Sequence, residues 1–235
     1  MSVLRGAGYA PAAVKPECVA SGIWRWTARH PQWHPGEFGA EVASFALEAG
    51  GDLLLLDPLL PADDAQPLLD LLDELAAGRA VHALITIGYH VRSAEPLCER
   101  YGGRVHGPRT CASRLREPGL FSELELGVPG PGGITAFPIG RPRRTERPLW
   151  FPSHRALAFG DAVVATPDGD LHVWSQDPVD ERRLRWYRER FAPTLDPLLE
   201  LPADRILVTH GEPVLEHGAE ALRAAVAAEP WYHHG

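Results

Sequence analysis

The chain contains 235 residues, of which 45% are hydrophobic, and carries a formal net charge of −8. This length supports one sizeable core, so we expect a single domain over residues 1–235. The acidic balance argues against nucleic acid and anionic membranes as partners, because both select basic faces. It favours a small-molecule or protein partner, and self-association into a homo-oligomer stays open.

Three separated cysteines without a CxxC pair predict neither a disulfide framework nor a cysteine zinc site. Residues 1–20 lack the apolar core of a signal peptide. No stretch of the chain approaches the roughly 18 apolar residues that a membrane span needs. We therefore expect a cytoplasmic protein with no membrane partner.

The first half of the chain predicts alternating strands and helices. Leucines recur at helical spacing between Pro67 and Ala77, and Gly78 is placed to end that helix. The short apolar run 81–86 is typical of a buried strand. The predicted elements in order are strands 23–27, 42–47 and 53–57, helix 67–77, strand 81–86, helix 94–101 and strand 104–107.

The second half predicts more strands than helices, beginning after a proline- and glycine-rich turn at 129–133. The predicted strands are 124–128, 134–139, 156–159, 162–165 and 206–209, and the predicted helices are 180–190 and 216–228. Strands that alternate with helices indicate a layered α/β domain.

Four short segments follow predicted strands at informative positions. Leu56-Asp57 ends an early strand, Thr86 ends a buried one, and Asp161 and His210 follow two later ones. Over residues 23–228 this arrangement resembles the metallo-β-lactamase superfamily. The resemblance implies an α/β fold of four layers, an αββα sandwich, with metal ions held where strand ends converge.

The zinc-binding loop of that superfamily, THxHxDH, is not preserved. With Thr86 on its threonine, Ile87 and Tyr89 stand at the first two histidines, Val91 at the aspartate and Arg92 at the last histidine. All four metal ligands of the loop are therefore missing.

A later histidine of the superfamily has no counterpart either, since residues 139–144 read Ile-Gly-Arg-Pro-Arg-Arg. A catalytic zinc takes three protein ligands and a water, and only Asp161 and His210 keep their places. We therefore expect no metal cofactor. Asp161, His210 and, in a shifted register, His90 are the weak candidates for a site that holds zinc or another divalent metal.

A site without metal can use the same region. His90 and Arg92 lie on the loop after a buried strand, where α/β folds place functional groups. We hypothesise that Arg92 pairs with Asp161, so that a guanidinium replaces the charge of the lost metal. Asp161, His210, Arg92 and His90 are then the candidate catalytic residues.

Tyr89 and Arg141 are the candidate binding residues. The Tyr89 phenol can cover the pocket, and Arg141 begins a basic cluster, 141–147, on the loop expected to border it. Each candidate also has a purely structural interpretation. Asp161 suits a turn, the His210 ring can be satisfied by a neighbouring carboxylate, and the basic cluster can be a solvated loop.

Three classes of function stay open. The first, which we favour, is a metallo-β-lactamase-like protein that binds a small molecule or protein in the former active-site cleft. The second is a divergent hydrolase with a single-metal or non-standard site. The third is a structural subunit whose cleft has no role. Fold alone does not decide among them.

Overall fold

The computed structural model describes residues 16–34 and 39–233, so the N-terminal prediction for residues 1–20 falls mostly outside the described part. The described strands are β1 (Glu17–Ala20), β2 (Ile23–Arg29), β3 (Glu41–Ala49), β4 (Asp52–Leu56), β5 (Ala80–Leu84), β6 (Arg104–Gly107), β7 (Phe121–Glu123), β8 (Thr135–Ala136), β9 (Leu149–Phe151), β10 (Ala156–Phe159), β11 (Val163–Ala165), β12 (Leu171–Ser175), β13 (Arg205–Val208) and β14 (Trp231–Tyr232). The described α-helices are α1 (Gln66–Ala76), α2 (Ala94–Tyr101), α3 (Glu181–Trp186), α4 (Asp196–Leu199) and α5 (Gly218–Ala227).

The strands form three sheets. The first has the order β1-β2-β3-β4-β5-β6-β7, antiparallel from β1 to β4 and parallel from β4 to β7. The second has the order β13-β10-β9-β8, and the third the order β11-β12-β14. The β3–β4 hairpin pairs Leu47 with Leu54, as expected for the turn that joins them.

The leucines of β4 show how the layers stack. Leu54 and Leu56 pack into a core shared with Phe151 of the second sheet. Leu53 and Leu55 point the other way and pack against Leu68 of α1. Because successive side chains of a strand alternate between faces, a strand that is apolar on both must lie between two layers.

A second helical layer covers the other sheets. Phe159 of β10 and Val173 of β12 share a core with Leu198 of α4 and Leu222 of α5. The order is therefore helices, sheet, sheets, helices, which confirms the αββα sandwich expected from the sequence. None of the described helices is long and apolar enough to cross a bilayer.

Most predicted elements lie within a few residues of their expected positions, and helix 94–101 and strands 104–107 and 156–159 are reproduced. The predicted strand 124–128 is not found; this segment makes only an isolated bridge at Leu126. The predicted strand 134–139 is reduced to β8, because Pro138 and Gly140 interrupt it. The short strands β1, β7, β9, β12 and β14 and the short helix α4 were not predicted.

Candidate functional site

The loops that follow β4, β5, β10 and β13 meet at one edge of the first and second sheets. Asp57 follows β4, the segment Thr86 to Arg92 follows β5, Asp161 follows β10 and His210 follows β13. The long connection between β8 and β9 adds Arg143 and Glu146 to this edge. This is the position where open α/β sheets place ligands.

The buried side chain of Asp57 connects the ends of β4 and β5. Its side chain accepts hydrogen bonds from the Thr86 backbone N–H, at 2.9 Å, and from the Thr86 hydroxyl, at 2.5 Å. His90 Nδ1 lies 3.0 Å from the second carboxylate oxygen. With three donors and 1% exposure, this carboxylate is satisfied within the protein.

Residues Gly88–Val91 form a 3₁₀ turn that directs the side chains of Tyr89 and His90 to different surroundings. A Cβ atom at Gly88 would lie 2.5 Å from the Thr110 hydroxyl oxygen, so only glycine lets the turn pack this closely. The turn leaves Tyr89 44% exposed and buries His90 to 2%. The Tyr89 ring is therefore partly exposed while its hydroxyl reaches Asp161, and the His90 imidazole is buried within the site.

His90 lies between two carboxylates. Its Nδ1 contacts Asp57, and its Nε2 lies 3.4 Å from Asp161 Oδ1. Burial and the nearby Arg92 charge favour the neutral ring, but the two carboxylates outweigh them and the pKa of His90 is raised. The imidazolium can then donate from both ring nitrogens, one to each aspartate.

Glu146 holds the backbone turn that carries Asp161. Its carboxylate accepts the backbone N–H groups of Gly160 at 2.8 Å, Asp161 at 3.1 Å and Ala162 at 2.9 Å. The side chain is fully buried. Burial and the neighbouring Asp161 carboxylate raise the pKa of Glu146 to about 7, while Arg143 and the backbone donors act against this rise.

Asp161 lies at the centre of the site and is 4% exposed. His90 Nε2 and His210 Nε2 lie 3.4 and 3.5 Å from its Oδ1 atom. The Tyr89 hydroxyl donates to Oδ2, and Arg143 Nη1 lies 3.8 Å from that same oxygen. Burial opposes ionisation, but His90 and His210 hold the pKa of Asp161 well below its usual range.

The charges of Arg92 and Asp161 interact, but these two described residues do not form the direct ion pair that we expected. Arg92 instead donates from Nη1 to the Asp57 carbonyl oxygen at 3.2 Å. The guanidinium beside Asp161 belongs to Arg143, which also stacks over the Trp174 ring at 4.5 Å. Arg143 comes from the loop where the later histidine of the superfamily is missing. An arginine side chain is longer than that of a histidine, and this one reaches Asp161.

Arg141, the predicted binding residue of the same loop, is exposed and does not line the cleft. Arg143, from the same basic cluster, is the arginine that lies beside Asp161, and Glu146 was not predicted as a site residue. The only signal for Glu146 was a single acid inside an arginine-rich loop. Tyr89, His90 and His210 are brought together around Asp161.

A cleft of about 660 Å³ opens over these residues. Asp161, His90, Arg92 and Tyr89 form part of its lining, and the segment 30–34 contributes His30 and Trp33. The segment 30–34 therefore borders the site, although it lies far from Asp161 and His210 in the sequence.

Comparisons with known proteins agree with this architecture. No known family profile matches the sequence. A metallo-β-lactamase from Pontibacter korlensis superposes with a TM-score of 0.62 at 13% identity, covering 92% of this chain and 100% of that one. A metallo-β-lactamase from Erythrobacter litoralis gives 0.61 at 13% identity, covering 91% and 96%. The DIM-1 metallo-β-lactamase exposed to ceftazidime gives 0.61 at 14% identity, covering 92% and 97%.

The chain therefore has the metallo-β-lactamase fold. Among curated proteins, a probable dual-specificity RNA methyltransferase, RlmN, of Frankia casuarinae is 31% identical over 112 residues. That match covers 43% of this chain, and the chain spans only 24% of that protein's length.

The residues of the site do not fit the paired zinc ions that this fold commonly holds. Within residues 16–34 and 39–233, no group of three or more His, Cys, Asp or Glu side chains is arranged to hold a metal ion. One oxygen of Asp161 is taken by the Tyr89 hydroxyl, and the Arg143 guanidinium lies 3.8 Å from it. A fixed positive charge at that distance opposes a divalent cation on the same carboxylate.

Proposed function

We propose that this chain is a metallo-β-lactamase-fold protein that binds a small molecule or a protein partner in the former active-site cleft, without the standard two-zinc chemistry. The observation that carries the proposal is the Arg143 guanidinium 3.8 Å from Asp161, in a loop that lacks the superfamily's later histidine. Arg143 is 8% exposed and therefore cannot easily leave to admit a cation. The protein's own cation balances the carboxylate.

Two residues of the site, Asp161 and Tyr89, are poorly suited to acid–base catalysis. A general base or acid works best when its pKa lies near the working pH. The pKa of Asp161 lies well below its usual range because His90 and His210 stabilise the carboxylate against burial, so Asp161 is a weak base. Burial and the Asp161 charge raise the pKa of Tyr89, so its phenol is a weak acid.

A second candidate is a divergent hydrolase with one metal ion, zinc or another divalent cation. It is favoured by one observation, that His90 Nε2 and His210 Nε2 both lie within 3.5 Å of the same Asp161 oxygen. His90 would also have the carboxylate partner on its other ring nitrogen that metal-bound histidines commonly have. Arg143 would have to move for a metal to enter.

Metal analysis separates the two candidates. Protein purified without an affinity tag would be analysed by plasma mass spectrometry, together with Asp161→Ala and with Asp73→Ala as a control. Asp73 is a surface residue paired with Arg100. We expect less than stoichiometric metal in all three proteins. Stoichiometric metal that is lost in Asp161→Ala and kept in Asp73→Ala would overturn the proposal in favour of the hydrolase.

A further inference from the structure

The cleft is basic in a protein that is acidic. The chain carries a net charge of −8, yet the described residues that line the cleft include Arg92, Arg114 and five histidines. Asp161 is the only acid among those described lining residues, and cationic neighbours already surround it. A concave site of one sign concentrates ligands of the opposite sign.

Buried hydrogen-bond donors in and behind this cleft have no acceptor among the described residues. Arg92 Nε and Trp33 Nε1 belong to lining residues, and Arg143 Nε and Nη2 lie behind Trp174. A buried donor without an acceptor costs free energy, so such groups call for a partner. These donors require an acceptor, which a phosphate or carboxylate supplies. Among the described residues, Asp161 Oδ1 is a buried acceptor without a hydrogen bond in the same cleft, and it lies 3.4 and 3.5 Å from the His90 and His210 rings.

Aromatic rings form much of the rest of the cleft. Trp33, Trp174, Tyr89 and Tyr232 all contribute to the lining. The Trp174 ring already stacks on the Arg143 guanidinium, with 4.5 Å between the guanidinium carbon and the ring centroid. Such surfaces favour a ligand with a planar ring. A volume of about 660 Å³ is within the usual range for a small-molecule site.

We propose that the ligand of this cleft is a small organic oxyanion, a phosphate or carboxylate carried on a planar ring, with Arg92 and Arg114 binding the charged group. Arg92 uses one guanidinium nitrogen on the Asp57 carbonyl oxygen and presents the rest of its donors to the cleft. Arg114 lies on the exposed wall. The inference rests on the proposed function and adds the ligand's chemical class to it.

Isothermal titration calorimetry with four probes of one ring system tests the charge. The probes are 1-naphthyl phosphate, 1-naphthoate, the neutral 1-naphthylmethanol and the cationic 1-naphthylmethylamine. We expect at least one of the two oxyanions to bind about tenfold or more tightly than the neutral and cationic probes. The tighter of the phosphate and carboxylate identifies the source of the oxyanion.

Arginine variants test the proposed anchors. Arg114→Gln and Arg92→Gln are expected to weaken oxyanion binding about tenfold each while changing binding of 1-naphthylmethanol little. Arg109→Gln is the matched control, since Arg109 lies on the same short helix, Arg109–Arg114, but outside the cleft lining. It should bind as wild type does. If Arg92→Gln does not fold, Arg114→Gln still decides the question because its side chain is exposed.

The outcomes separate this inference from the proposed function. Equal binding of the neutral and anionic probes would contradict the proposed preference for an oxyanion. The proposal that the cleft binds a ligand would still stand. Arginine variants that bind the oxyanion as wild type does would also contradict it, as would no heat from either oxyanion at millimolar concentrations. Stoichiometric metal dependent on Asp161 would contradict the metal-free function instead.

Discussion

Two buried aspartates at strand ends, Asp57 and Asp161, are balanced in different ways. Asp57 receives two hydrogen bonds from Thr86 and contacts His90, all from the loop after the neighbouring strand. Asp161 is surrounded by groups from three separate loops, and Arg143 and His90 supply charge. The first carboxylate joins two adjacent strands, whereas the second collects distant segments of the chain around one negative charge.

We therefore expect Asp57 to stabilise the fold and Asp161 to act in the candidate site. Removing Asp57 leaves buried donors without their acceptor, whereas Asp161 lines the cleft. Substitutions of Asp57, Asp161, Arg143 and Tyr89 test these two expectations.

The largest effect is expected from Asp57→Ala. The Thr86 N–H and hydroxyl and the His90 ring would lose their acceptor, and the His90 charge would lose one of its two carboxylates. Breaking a buried network of this kind costs about 3–5 kcal/mol of unfolding free energy. Urea denaturation followed by circular dichroism measures the cost. Asp73→Ala, on the surface, should retain nearly all of the wild-type stability, and an equal loss in both variants would remove the structural role of Asp57.

Asp161→Asn should cost less, about 2–3 kcal/mol, because water entering the cleft can solvate the cations left behind. The variant should also shift the pH dependence. The two carboxylates raise the pKa of His90 above its unfolded value, so its contribution is complete below the unfolded pKa and is lost as pH rises through the folded one. Removing the Asp161 charge lowers the folded pKa of His90, so the loss of stability is smaller and is complete at lower pH.

Denaturation midpoints recorded across neutral pH measure this shift. Asp204→Asn, an exposed residue paired with Arg155, serves as the control and should keep the wild-type profile. A profile for Asp161→Asn that coincides with wild type would contradict the coupling between His90 and Asp161.

The sequence predicted the scaffold well, and the reason lies in its local patterns. The apolar run of β4 with leucines buried on both faces requires two layers around it, and the leucine spacing of α1 defines one of them. The short strands β9 and β14 were missed because three and two residues carry too little periodicity, and β12 was missed although its five residues alternate between buried and half-buried positions. β14 pairs in parallel with β12, where Trp231 lies opposite Trp174, so only the folded chain brings these two strands together.

The site was predicted less well, because its contacts join segments far apart in the chain. Asp161 and His210 follow strands whose ends converge, so the resemblance placed them correctly. Which arginine would reach Asp161 depended on the path of residues 139–148, a connection between two short strands. The sequence pattern contains no periodicity there that would indicate Arg143. Arg92 was predicted because it stands at the last histidine of the superfamily's zinc-binding loop.

Arg143→Gln and Arg141→Gln test that correction with two arginines of the same loop. Arg143 contacts Asp161 and stacks on Trp174, so its loss should cost about 1–2 kcal/mol of unfolding free energy. Arg141 is exposed, and its replacement should change stability by less than about 0.5 kcal/mol. Metal content measured on the same samples adds a second test. Zinc bound only by Arg143→Gln would show that this guanidinium is what excludes the metal.

The smallest effect is expected from Tyr89→Phe, which removes one hydrogen bond to Asp161 and keeps the ring. Because Tyr89 is 44% exposed, water can replace the phenol, and the cost should be about 1 kcal/mol or less. The hydroxyl also occupies one oxygen of the carboxylate, so its removal frees that oxygen for a ligand or a cation. Thermal denaturation of Tyr89→Phe with and without added zinc measures both effects. A large zinc-dependent rise in Tm for this variant and none for wild type would assign to Tyr89, and not to Arg143, the role of closing the site.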